Sequence, residues 1–314
     1  MIRKPIIISL SSHSLKPNEK RLISKYKPWG IILFKRNIKS NFQIKKLIKD
    51  IRLAARDKKY PIIIDEEGLN VSRLSNLFNN SFNSEFFGKL FEKDEDVSLA
   101  LYRNYLKSIC IRLSKIGVNI NTIPVLDLKR KYTNKILNGR TFSKKKNVIH
   151  KLGNECISVL KRFKIGAVIK HIPGHGYTRI DSHKSLPKIR KSFNYLKNKD
   201  FQCFKGKKAF FAMTAHILYS NIDDKNPASQ SKIIIQDIIR RKIRFKGLII
   251  SDDISMNALK YDLVENAKKC IAAGCNLVLY CSGKYNESKK LLQNLEFCDA
   301  FTRKKTSEFY KFLR

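Results

Sequence analysis

Eight short apolar runs, most of them ending on charged or imidazole side chains, constrain this chain more than any other feature. They occupy positions 6–10, 30–34, 62–65, 118–126, 167–171, 209–214, 248–251 and 276–280. The runs are continuous rather than alternating, which is the pattern of strands buried on both faces, as in a parallel sheet. Amphipathic segments separate them. Ile44, Leu47, Ile48 and Ile51 follow the 3.6-residue period, as do Ile149, Leu152, Cys156, Val159, Leu160 and Phe163, with Ser143 placed near that helix's start as a cap. The segment 256–273 reads as a further helix stopped by Gly274. Eight strands alternating with helices fit the α/β class as a single-domain (β/α)8 TIM-like barrel spanning residues 1–314. An open doubly wound sheet is the runner-up, but no GxGxxG follows the first strand.

A barrel of this kind carries its chemistry at the C-terminal ends of its strands. Those ends are rich in reactive groups here. Asp65-Glu66-Glu67-Gly68, Asp127, Lys170-His171-Ile172-Pro173-Gly174-His175-Gly176, Ala215-His216 and Asp252-Asp253 follow five of the runs. One such residue is readily a helix cap or a loop hydrogen bonder; five strand ends with the same switch point to an active site. Asp252, directly after a buried strand, is suited to be a nucleophile or an electrostatic stabiliser, while Asp253 can cap the next helix. In Asp181-Ser182-His183 the carboxylate stands two residues from the imidazole. That spacing lets Asp181 orient His183, which can then act as general acid and general base near neutral pH. A metal centre on His171, His175 and Asp127 or Asp252 is disfavoured, because Pro173 and Gly174 break the helix that an i, i+4 ligand pair requires. No metal and no cofactor is expected.

These residues resemble a known family. Lys170 to Gly176 followed by Asp181-Ser182-His183 is similar to the KHFPGHG…DSH signature of glycoside hydrolase family 3, in its bacterial β-N-acetylglucosaminidase branch. Gly30 to Asn37 resembles GxxLFxRN, and Asp65 to Arg73 resembles DxEGGxVxR. Asn121 to Leu128 resembles NxxPVLDL, and Gly139-Arg140-Thr141-Phe142 resembles GxRxF. Met213-Thr214-Ala215-His216 resembles MTAH, and Ser251 to Met256 resembles SDDLSM. The resemblance implies a TIM-like barrel and a retaining exo-hydrolase that removes N-acetylglucosamine from 1,6-anhydro-muramoyl peptides in cell-wall recycling. Carried over by position, it implies Asp252 as nucleophile and His183 as general acid/base supported by Asp181. Asp65, Arg73, Arg140, Lys170 and His171 would bind the sugar. Retaining hydrolysis needs a nucleophile on one face of the sugar and a proton donor at the leaving oxygen, and an imidazole beside a carboxylate can supply the second. Two departures stand out. Leu69-Asn70 follows Gly68 where the family has a second glycine, which suggests a loop that needs φ > 0 or a close approach to the sugar. Asn276 replaces an aspartate in the AGCD segment and is expected to alter charge at the last strand.

The chain has 65 Lys+Arg against 26 Asp+Glu, a formal charge of +39 over 314 residues. The basic residues are dispersed along the sequence, as compositional bias would leave them, rather than gathered in one arm. A basic polyanion-binding or nucleic-acid-binding protein on a catalytically retired barrel is therefore the second reading. A third is the same barrel transferring the sugar to phosphate. The leading reading expects a small glycan as substrate, no nucleic-acid partner, no membrane span and a monomer. The run Ile6-Ile7-Ile8-Ser9-Leu10 is shorter than a signal-peptide core. Seven cysteines without CxxC spacing read as buried free thiols of a reducing cytoplasm.

Overall fold

The structure, a computed structural model, describes residues 2–178 and 185–314. Each of the eight apolar runs overlaps a strand: β1 (Lys4–Ser9), β2 (Pro28–Leu33), β3 (Ile62–Ile64), β4 (Ile120–Asn121), β5 (Gly166–Ile172), β7 (Phe211–Thr214), β9 (Leu248–Asp253) and β10 (Leu277–Tyr280). They close into one parallel barrel in the order β1-β10-β9-β7-β5-β4-β3-β2. The short strands β6 (Lys188–Ile189) and β8 (Leu218–Tyr219) pair outside it. Among the described residues the helices are α1 (Pro17–Tyr26), α2 (Asn41–Ala54), α3 (Ser84–Lys93), α4 (Glu95–Ile116), α5 (Lys146–Arg162), α6 (Phe193–Asn198), α7 (Leu263–Ala273), α8 (Tyr285–Asn294) and α9 (Ala300–Phe312), with a π-helical segment over Ile233–Lys242.

Continuous apolar runs have their reason in two separate cores. Ile7, Trp29, Ile32, Ile63, Ile120, Val168 and Met213 point inward and fill the barrel. Ile6, Ile8, Ile31, Ile62, Ile64, Ile169 and Val278 point outward and pack on the helix layer. Period-2 alternation on strands with two apolar faces leaves no polar position. Helix α9 closes the bottom of the barrel. Phe309 lies against Phe211 with ring centroids 5.0 Å apart, and the Trp29 indole donates to Thr306 Oγ1 at 2.9 Å.

Three local expectations are corrected. The fourth run yields a two-residue strand rather than a strand over 118–126, because Pro124 has no N–H to give to the ladder; pairing resumes only as an isolated bridge between Val125 and Lys170. The helix that ends at Gly274 starts at Leu263, not at 256, where the Asp262 carboxylate accepts from Val264 N and Glu265 N. Ser143 is not the N-cap of α5; its hydroxyl accepts from Lys145 N and donates to Glu92. The cysteines are free thiols, and six of the seven are buried. No helix is long and apolar enough to cross a membrane.

Candidate active site

The C-terminal ends of the strands meet around a cavity of about 430 Å³. Asp65, Arg73, Arg140, Lys170, His171 and Asp252 all line it. Six of the eight residues singled out from sequence are thereby brought together. The other two, Asp181 and His183, lie outside the described residues.

One wall is a network of alternating charge. Arg73 donates to Asp65 Oδ2 at 2.9 Å, and Thr122 donates to Asp65 Oδ1. Arg140 grips Glu67 with two parallel bonds, Nε to Oε2 at 2.7 Å and Nη2 to Oε1 at 2.9 Å. Lys170 sits between the two carboxylates, with Nζ 2.6 Å from Glu67 and 3.5 Å from Asp65, and donates to Thr122 Oγ1 at 2.8 Å. Burial alone would raise both carboxyls. Lys170 and Arg73 outweigh it at Asp65 and hold that group well below the usual carboxylate range. Arg140 and Lys170 hold Glu67 down to about 2. Arg140 is held above its ordinary value, because Glu67 more than offsets the burial of its guanidinium. Asp65 and Glu67 are therefore both ionised at neutral pH, and both line the cavity.

The loop carrying these groups is anchored by Glu66, whose buried carboxylate accepts from Ser72 Oγ, Asn80 Nδ2, Arg73 N and Leu74 N. Asn121, at the end of β4, bonds both the N–H and the C=O of Glu66. The Asn of the fourth run therefore fixes the backbone that aims Asp65 and Glu67.

His171 and His175, which also line the cavity, are positioned by Asp127, which is completely buried. Its carboxylate accepts from His171 Nδ1 at 2.7 Å, from His171 N and from His175 N. His171 and the backbone N–H of His175 hold the Asp127 carboxyl ionised against its burial. With Nδ1 tied to Asp127, His171 presents Nε2 as its remaining polar atom. His175 is held neutral: burial pulls its pKa down to about 4, and Nδ1 pairs with Thr178 Oγ1 at 2.7 Å. Asp127 is thus committed to shaping the chain rather than open to an ion.

Asp252 comes from the end of β9. Its Oδ1 accepts from Asp253 N at 2.8 Å. Asp253 does not cap a helix as expected. Its carboxylate accepts from Ser255 N, Ser255 Oγ and Cys281 N, while its carbonyl meets His216 Nε2 at 3.0 Å. His216 is fully buried and also pairs with Ser229 Oγ, so it braces the strand end and does not reach the cavity.

Sequence reasoning passed over Glu67 and the clamping role of Asp127. The signal for Glu67 was arithmetic: Arg73, Arg140 and Lys170 were all placed at the site with only Asp65 to balance them on that wall. The two departures from the family pattern also resolve. Neither Leu69 nor Asn70 has φ > 0; the positive value falls on Gly68, at +138°. Leu69 is 55% exposed and points away from the cavity, whereas Asn70 lines it and accepts from Asn83 Nδ2. Asn276 precedes β10 at the other end of the barrel. Its Oδ1 accepts from Arg240 Nη2 and Ile249 N, far from the sugar-sized cavity.

Comparison with known proteins agrees with this geometry. Residues 6–306 match the glycosyl hydrolase family 3 N-terminal domain. A β-hexosaminidase of Hydrogenovibrio crunogenus is 32% identical over 284 residues, covering 88% of this chain and 78% of that protein. A β-hexosaminidase of Methylobacillus flagellatus is 31% identical over 300 residues, covering 93% and 84%. The crystal structure of NagZ from Neisseria gonorrhoeae in complex with N-trifluoroacetyl-D-glucosamine superposes with a TM-score of 0.90 at 26% identity, covering 100% of this chain and 90% of that one.

Proposed function

This chain belongs to glycosyl hydrolase family 3, and we propose that it is a retaining exo-β-N-acetylglucosaminidase acting on 1,6-anhydro-muramoyl peptides. It is a glycoside hydrolase of the β-N-acetylhexosaminidase kind, with a small carbohydrate substrate. The observation that carries the finer reading is the meeting of Asp252 with an ionised Asp65–Lys170–Glu67–Arg140 wall in one cavity at the C-terminal mouth of the barrel.

The chemistry follows from those positions. The terminal N-acetylglucosamine is held by Asp65, Arg73, Arg140, Lys170 and His171, the carboxylate accepting from its hydroxyls and the cations donating to its oxygens. An Asp252 oxygen attacks the anomeric carbon. The His183 imidazolium, oriented by Asp181, gives its proton to the departing glycosidic oxygen, leaving a glycosyl ester on Asp252. The now neutral His183 takes a proton from water as that water attacks the same carbon. The sugar leaves with its configuration retained, and both residues return to their starting states. The charged wall stays fixed, so no reorganisation is needed as positive charge develops on the ring.

The test is incubation with N-acetylglucosaminyl-1,6-anhydro-muramoyl peptide, with and without phosphate, and mass analysis of the products. Free N-acetylglucosamine in both arms supports the reading. Sugar 1-phosphate in the phosphate arm favours transfer to phosphate instead, and no cleavage in either arm refutes a muropeptide substrate.

A further inference from the structure

The opposite end of the barrel holds a second cavity, of about 410 Å³. It opens at the N-terminal ends of β5, β7 and β9, the same three strands whose other ends carry His171, Thr214 and Asp252. Its wall is apolar and partly aromatic. Phe210 and Phe312 stand with ring centroids 4.7 Å apart, flanked by Ile157 and Ile165. Gly247 permits the close packing of that wall, since a Cβ there would stand 2.4 Å from the Phe210 carbonyl oxygen.

The rim is cationic. Lys161, Lys208, Arg244 and Lys246 line the cavity and are exposed, and among the described residues none has an acidic partner. The one acid there, Glu308, is already paired with Lys305 at 2.7 Å. A further ammonium lies beneath. Lys207 is 7% exposed and donates only to neutral groups, the ring nitrogen and carbonyl of His150 and the side chain of Asn154. Burial without a carboxylate pulls its pKa down to about 8. Helix-end electrostatics accounts for Lys161 and Arg244, which lie at the C-terminal ends of α5 and of the π-helical segment. It does not account for Lys208 and Lys246, which precede strands.

We propose that this cavity binds a nucleoside di- or triphosphate, or a closely similar organic polyphosphate, with its ring on the Phe210–Phe312 wall and its phosphates among Lys161, Lys208, Arg244 and Lys246. Four unpaired cations match a ligand of three or four negative charges. An apolar wall beside them selects a flat ring system over a bare anion. The volume suits a ligand of that size and is too small for a folded partner.

The test is fluorescence titration of the full chain with a ring-labelled ATP in 0.1 M salt. Saturable binding is expected, unchanged by millimolar N-acetylglucosamine, and weakened at least tenfold in the Lys208→Glu/Lys246→Glu double variant. Both residues are exposed and outside the catalytic cavity, so the variant should keep its circular dichroism spectrum and its hydrolysis of p-nitrophenyl N-acetyl-β-glucosaminide. ATP should compete with the probe better than inorganic triphosphate. Absence of binding at millimolar probe, displacement by N-acetylglucosamine, or equal binding by the double variant would overturn the site. Equal competition by inorganic triphosphate would overturn the assignment of a ring-bearing ligand.

Discussion

Asp252 and Glu67 carry the residue-scale predictions, because one is the proposed nucleophile and the other holds the cations of the cavity wall. Asp252→Ala removes the proposed nucleophile while leaving the wall intact. Turnover of p-nitrophenyl N-acetyl-β-glucosaminide should fall by about 10³ or more with little change in thermal stability. Mass analysis of enzyme quenched during turnover should show one attached sugar residue in the parent and none in the variant. Retained turnover would remove the covalent step. Glu67 has an effect on stability that depends on pH. Its pKa is depressed to about 2 from an ordinary value of 4.5, so its contribution is fully present above 4.5 and is lost as pH falls toward 2. Glu67→Gln leaves Arg140 and Lys170 buried without that counter-charge and should cost about 3–5 kcal/mol at pH 7. Denaturant titrations should show the gap between parent and variant narrowing below pH 4.5. A gap independent of pH would mean that Glu67 acts by packing alone. His175 works in the same direction: its pKa near 4 means stability is present above 6.5 and lost as pH falls through 4.

The apolar runs and the structural elements correspond closely because each strand had two faces to bury, a requirement that leaves a direct mark on composition. Residues such as Ile62-Ile63-Ile64 can be read without any partner in view. Where an element depended on a single hydrogen bond, the sequence was silent or ambiguous. Pro124 shortened the fourth strand by removing a donor, and Asp262 rather than any residue near 256 began α7. The cavity wall shows the same division. Asp65, Arg73, Arg140, Lys170, His171 and Asp252 were legible through a familiar motif pattern. The pairing of Glu67 with Arg140, 73 positions away, is a property of the closed barrel alone. Asn276 shows what such hidden contacts do. Its side chain joins the approach to β10, the π-helical segment and α9 through Ile249 N, Arg240 and Thr302. Asn276→Ala strands a buried guanidinium N–H and a strand amide, and should cost about 2–3 kcal/mol in denaturant midpoint with kcat unchanged. Leu69→Gly, which restores the family's glycine at a solvent-facing position, should move kcat/KM by no more than about twofold. A larger change would show that the loop communicates with the sugar after all.

At the scale of the whole molecule, part of the positive charge gathers at one end of the barrel. The basic residues come from every part of the sequence, yet the barrel collects many of them on the face where helices end and strands begin. Lys27, Arg56, Lys164 and Arg244 all follow helices there with positive φ, the position usually given to glycine. Cations at helix C-termini are favoured by the helix dipole, so part of this asymmetry is structural. The catalytic mouth is different, since its buried Arg140 and Lys170 are matched by Asp65 and Glu67. Lys135 lines the cavity and has no acidic partner among the described residues. With a net charge of +39, the long-range field around that mouth is positive and screened over about 10 Å at 0.1 M salt. A muropeptide carries carboxylates that the field attracts during approach, whereas a nitrophenyl glycoside carries none. Raising salt from about 0.02 to about 0.5 M, roughly a 25-fold span of ionic strength, should therefore lower kcat/KM for the muropeptide several-fold and leave that of the neutral glycoside nearly level. Lys135→Glu should flatten the first dependence without moving kcat for the second. Parallel salt profiles for the two substrates would mean that the positive surface plays no part in capturing substrate.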